Sequence, residues 1–202
     1  MKGFFDTNDS SPWLSVSRTL TIDLQSVPLD TAGLYRAYAQ RVAIWVSRLG
    51  GPGFDVEDVV QEVFMHVHQR LSSFRGEAQV TTWLYSITHH VVVSRRRKQR
   101  LLRWFGVSDP DAIARAPAVG TPHERLEQRQ SAALVYAALD GMAEKYREPL
   151  ILFEIEGLSG EEIATLTGVK LTTLWVRLNR ARNQLLAQVE KLQAKEARGH
   201  AR

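Results

Sequence analysis

The chain has 202 residues, 44% of them apolar and 24% charged, which is enough for one or two globular units with buried cores. It holds no cysteine, so disulfides and thiolate metal sites are excluded, and no apolar run approaches the roughly 18 residues that a membrane span needs. The formal net charge of +4 suits a polyanionic partner, although its distribution along the chain says more than its total.

Residues 1–28 are rich in Ser, Thr, Asp and Asn and lack sustained periodicity, which predicts a flexible extension. From Leu34 the apolar positions Leu34, Tyr38, Val42, Trp45 and Leu49 recur at helical spacing until Gly50-Gly51-Pro52-Gly53 stops the helix. Asp55 is the expected N-cap of a second helix with the apolar stripe Val56, Val59, Val60, Val63, Val67 and Leu71. After a loop from Ser72 to Gln79, a third helix from about Thr81 carries Trp83, Leu84, Ile87 and Val91 inward. It runs into Arg95, Arg96, Arg97, Lys98, Arg100 and Arg103.

The breakers Gly106, Pro110, Pro117, Gly120 and Pro122 mark 105–123 as a linker. Their density disfavours packing, so the units on either side are expected to reorient in solution. A second unit then starts near Glu124, with one helix through Leu126, Leu134 and Leu139 and a short helix from about Pro149 to Glu156, which Gly157 ends. Ser159 and Glu162 form an S-x-x-E capping box opening a helix with Ile163, Ala164 and Leu166. Thr167-Gly168-Val169 turns the chain into a final helix from about Leu171 to Leu192. No strand alternation is present, so the expected fold is all-α: two small helical domains, 29–104 and 124–195, joined by a flexible linker, with 196–202 as a tail.

The spacing from Ser159 to Leu178 is that of a helix-turn-helix, whose second helix would enter a major groove; it is equally the spacing of an αα-hairpin inside a bundle. Charge favours the first. Seven acids and two bases lie between Asp140 and Glu162, against eight bases and two acids from Lys170 to Arg202. In the first unit, Trp83 and Tyr85 precede six basic residues among the nine from Arg95 to Arg103. Aromatic rings beside a basic track suit single-stranded DNA; the alternative is a core tryptophan and a solvated helix end. Glu57, Asp58, Gln61 and Glu62 make a polar face on the second helix. It is either merely solvated or meets a protein partner carrying basic residues. His66 with His68, and His89 with His90, lack the spacing of a metal site, and no phosphate loop or nucleophile motif is present. No enzyme activity, cofactor, metal or small-molecule substrate is expected.

These fragments, in this order, resemble the extracytoplasmic-function (ECF) sigma factors, from about Leu34 to Arg103 and from Leu139 to Leu192. Asp55-Val56-Glu57-Asp58-Val59-Val60-Gln61-Glu62-Val63-Phe64 is similar to the family's D-x-E-D-x-x-Q-E-x-F helix. The resemblance implies that Asp55, Glu57, Asp58, Gln61, Glu62 and Phe64 bind core RNA polymerase. Phe74-Arg75-Gly76 and Thr82-Trp83-Leu84-Tyr85-Ser86-Ile87 resemble the elements that capture and melt the −10 promoter element. Arg75, Gly76, Thr82, Trp83, Tyr85, His89, His90, Arg95, Arg96, Arg97 and Lys98 would then face that DNA. Glu156-Gly157-Leu158-Ser159, Glu162-Ile163-Ala164 and Arg177-Leu178-Asn179-Arg180-Ala181-Arg182 resemble the helix-turn-helix that reads the −35 element. There Thr172, Thr173, Trp175, Val176, Arg177, Arg180 and Arg182 would do the reading.

The departures fall at DNA-facing positions. His89-His90 stands where the family usually has Arg-Asn, Ser94 replaces a common Asp, and Thr172-Thr173-Leu174-Trp175-Val176-Arg177-Leu178 stands for G-T-V-K-S-R-L. Trp175 in place of a lysine exchanges a charged contact for stacking or contact with a thymine methyl. The resemblance implies a cytoplasmic protein with core RNA polymerase, promoter DNA and an anti-sigma factor as partners, and no membrane insertion. Two other readings are a helix-turn-helix regulator that is not a sigma subunit, and a sigma mimic that titrates an anti-sigma factor.

Overall fold

The computed structural model describes residues 29–52, 54–105 and 132–200. The extension 1–28 and the linker beyond Phe105, with Leu126, lie outside the described residues. Within them every regular element is a helix and there is no strand.

Helix α1 spans Thr31–Gly50, earlier than its apolar stripe, because Asp30 caps it by accepting from the Gly33 amide at 2.6 Å. It ends where Gly51 takes φ +85°, a left-handed value that glycine adopts without penalty. Helix α2, Val56–Arg70, is capped by Asp55, whose carboxylate accepts from the Asp58 amide at 3.1 Å. A short 3₁₀ turn, Leu71–Ser73, leads to α3, Val80–Trp104. The core of this unit is Leu34, Tyr38, Val42, Trp45 and Val46 against Val59, Val60, Val63, Val67, Leu84, Ile87 and Val91, the stripes expected from periodicity. Trp83 is only half-buried and packs its ring on Phe74 at 4.8 Å, while Tyr85 is the aromatic that reaches inward, edge-on to Trp45 at 5.2 Å.

The second unit begins with α4 (132–140) and α5, Glu144–Leu150. Pro149 cannot supply an amide to the helical ladder, and directly after it the chain widens into a π turn over Ile151–Ile155, closed by the Glu156 amide on the Ile151 carbonyl at 3.0 Å. Ser159 and Glu162 make the reciprocal capping box that opens α6, Gly160–Thr167. Gly168, left-handed at φ +69°, turns the chain into α7, Leu171–His200, which continues into the segment expected to be a tail. Leu174, Leu178 and Ala181 bury one side of α7 against Ile163 and Leu152.

The two units do not stand apart, as the linker's composition suggested. They pack α3 against α6, and α1 against the π turn, with their buried residues in one continuous cluster. Polar groups of both units close the seam. The Tyr136 hydroxyl donates to the Arg48 carbonyl at 3.1 Å, and the Tyr136 ring covers Gly51 so closely that a Cβ there would stand 2.6 Å from it. Arg147, fully buried, donates to the Leu49 carbonyl at 2.7 Å.

Candidate functional site

Three surfaces carry the expected residues. On the first, Glu57, Asp58 and Gln61 are exposed and Glu62 half-exposed along the polar side of α2. Asp55 holds the helix end, and Phe64 is a correction: it is buried edge-on to Tyr35 at 4.8 Å, so it shapes the face from beneath rather than meeting a partner. Arg95, expected on DNA, turns to this acidic face, with Nε 2.6 Å from Glu62 and Nη1 2.7 Å from Asp58. Burial opposes the charge on Arg95, but the bonds to Glu62 and Asp58 prevail and raise its pKa.

The second surface lies along α3 and the loop before it. Arg75, Gly76, His90, Arg97 and Lys98 are exposed, and Thr82, Trp83 and His89 are half-buried. Tyr85 and Arg96 are not on the outside. The Tyr85 hydroxyl donates to Glu148 at 2.8 Å, and burial, with the nearby Glu148 charge, pushes its pKa well up. Arg96, 5% exposed, bonds Glu144 at 2.6 Å and Asp140 at 2.8 Å. The correction has a geometric cause. Successive helical residues step about 100° around the axis, so Arg95, Arg96, Arg97 and Lys98 cannot form one stripe. Arg95 points to α2, Arg96 to the second unit, and only Arg97 and Lys98 to solvent.

The third surface is the start of α7. Thr172, Thr173, Trp175, Val176, Arg180 and Arg182 are exposed and Arg177 half-buried, on the side away from Leu174 and Leu178. Trp175 is 44% exposed, its ring edge-on to Phe153 at 5.6 Å and lying across Gly160, where a Cβ would come within 2.7 Å of its Cζ2. Arg182 is held by Glu154 at 2.8 Å and lies over the Phe153 ring. The hydrogen bond from Arg180 to the Tyr146 hydroxyl, with the Lys145 charge beside it, lowers the tyrosine's pKa. The array is therefore braced before any ligand arrives. The sequence reading missed Gly160 and Phe153 as supports of Trp175; a glycine at the first position of a capped helix was the available signal.

The matched family models are Sigma-70 region 2, over residues 34–101, and Sigma-70, region 4, over residues 132–185, which are the two helical units. The ECF RNA polymerase sigma-E factor of Escherichia coli K12 is 32% identical over 168 residues, covering 77% of this chain and 84% of that protein. The chain belongs to the ECF sigma factors. It is a sigma subunit that directs transcription by RNA polymerase, with region 2 followed by region 4. The RNA polymerase sigma factor YlaC of Bacillus subtilis is 28% identical over 81% of this chain and 94% of its own length. ECF RNA polymerase sigma factor SigE of Mycolicibacterium smegmatis is 33% identical, over 75% of this chain and 58% of that longer protein. The fold is also that of a solved structure of the sigma factor RpoE in complex with the anti-sigma factor NepR from Bartonella quintana. That structure is 23% identical with TM-score 0.52, covering 77% of this chain and 94% of that one. Among the described residues no helix of the sigma factor is long and apolar enough to cross a membrane.

Proposed function

We propose that this sigma factor docks on core RNA polymerase through the α2 face of Glu57, Asp58, Gln61 and Glu62. Region 2 then receives the −10 strand on Arg75, Trp83, Arg97 and Lys98 and, once the second unit moves off α3, on Thr82, Tyr85 and Arg96 as well, and region 4 reads −35 DNA with the first turns of α7. The observation that carries the reading is the braced outward array of Thr172, Thr173, Trp175, Val176, Arg177 and Arg180 on a capped helix-turn-helix. Helix α7 presents base-edge and phosphate-contacting groups side by side, which is what groove recognition requires. The acids on α2 repel DNA and fit a basic protein surface. The factor acts in the cytoplasm without catalysing a reaction itself, and needs no cofactor or small-molecule substrate. An anti-sigma factor, the kind of partner named for the RpoE structure, holds it inactive.

Run-off transcription with purified core polymerase on genomic fragments tests the reading. The wild-type chain should start transcripts at discrete promoters, and Asp58→Arg with Glu62→Arg should lose core binding at unchanged helical content. Full core affinity in that variant would remove the α2 assignment. Duplex binding without any start site would favour the regulator reading, which the family membership disfavours.

A further inference from the structure

The DNA-facing side of α3 is covered in this structure by the second unit's acids. Thr82, Tyr85, His89 and Arg96 share one helical face. Each meets the second unit: Thr82 donates to the Thr165 carbonyl at 3.4 Å, and Tyr85 donates to Glu148. His89 Nε2 lies 3.5 Å from Glu148 and 3.9 Å from Glu144, and Arg96 bonds Glu144 and Asp140. The partners run opposite in sequence to α3, as two antiparallel edges would.

We propose that the acidic edge of Asp140, Glu144 and Glu148 is a binding surface for the DNA-facing side of α3, occupied within the chain, and that it competes with single-stranded promoter DNA for the same side chains. The proposal rests on the assignment of α3 to the −10 strand. The carboxylates supply what phosphates would: negative charge to a guanidinium that is otherwise costly to bury, and an acceptor for the tyrosine hydroxyl. Closure is also taxed, which keeps it reversible. Arg147 is buried in the seam with no hydrogen bond to Nε or Nη2, Asp140 coming no closer to Nη2 than 4.0 Å and Glu144 no closer to Nη1 than 3.8 Å, and burial foremost lowers its pKa to about 10. A closed form outnumbering the open one by about ten to one weakens the apparent DNA affinity roughly tenfold, because only the open fraction binds.

The test uses the full chain without polymerase and a fluorescent single-stranded oligodeoxynucleotide of mixed sequence, read by anisotropy. Glu144→Gln with Glu148→Gln should bind roughly tenfold tighter than wild type. Glu161→Gln with Glu190→Gln, the same charge change on exposed residues off this edge, should bind as wild type does. The chain has no cysteine. Arg48 and Glu156 pair across the seam, Nε 3.2 Å from Oε1, so Arg48→Cys with Glu156→Cys, placed in the Glu144→Gln/Glu148→Gln chain, can be bridged by a short bismaleimide, and bridging should remove the gain. Circular dichroism confirms that each variant keeps its helices. Equal affinity of wild type and the Glu144/Glu148 variant, or a bridged chain binding as tightly as the unbridged one, overturns the proposal. If scattering shows the neutralised chain expanded and it still ignores the oligonucleotide, the −10 assignment fails, and the competition with it.

Discussion

Gly160→Ala puts the seat of Trp175 under a test whose sign depends on the background. The added Cβ would stand 2.7 Å from Trp175 Cζ2, 3.2 Å from its Cη2 and 3.1 Å from Leu171 Cδ1. The leucine methyl can rotate away; the indole is rigid and hemmed by Phe153, so it must tilt off its seat. Overpacking of this kind costs about 1–3 kcal/mol. Removing a helical glycine returns about 0.5–1 kcal/mol, and less at the first residue of a helix, so a net loss of about 1–2 kcal/mol is expected. With Trp175→Leu in place, only the return remains, and Gly160→Ala should stabilise by up to about 0.5 kcal/mol. Urea denaturation of the four proteins of this cycle measures the coupling. A selection from randomised −35 duplexes should show that Gly160→Ala changes base preference in the Trp175 chain and has no effect in the Trp175→Leu chain. Equal destabilisation in both backgrounds would refute the seat.

Ser159→Ala removes one half of the capping box and should cost about 1 kcal/mol by thermal or urea denaturation, with weaker −35 duplex binding. Leu84, fully buried beneath α1 and α2, should cost about 2–5 kcal/mol as Leu84→Ala in the same assay, while an exposed change such as Gln69→Ala should be near neutral. Because Arg97 and Lys98 face solvent, Arg97→Ala and Lys98→Ala should each lower the salt slope of holoenzyme binding to promoter DNA by about 1; an unchanged slope would mean that neither touches a phosphate.

Local features were well marked in the sequence. The stripes on α1, α2 and α3, the Asp55 cap, the Ser159–Glu162 box and the Gly168 turn each depend on residues within a few positions of one another, and each is where spacing placed it, save that Tyr85 and not Trp83 is the aromatic of α3 that turns inward. What escaped depends on distance along the chain. Nothing near Arg96 announces that Asp140 and Glu144 will neutralise it, and nothing near Gly51 announces the ring of Tyr136. The acidity from Asp140 to Glu162 stood out as a contrast with α7, yet the four-residue interval between Glu144 and Glu148, which aligns them on one side of α5, was the sharper clue. The π turn was signalled only by Pro149, a residue that disturbs a helix without saying how it recovers.

Helix α7 is a single rod of 30 residues, about 45 Å from end to end. Its burial is concentrated between Leu174 and Ala181, and the described side chains after Leu192 are exposed. The rod stays seated past Ala181, since Leu185 packs on the core and Gln188 lies against Gly141, and it has no proline along its length to act as a joint. A sideways push on the exposed end beyond Leu192 is therefore passed along an unjointed helix to the seats of Leu185 and Gln188 and on toward Trp175. Whatever grips the exposed end thus couples rigidly to the reading end.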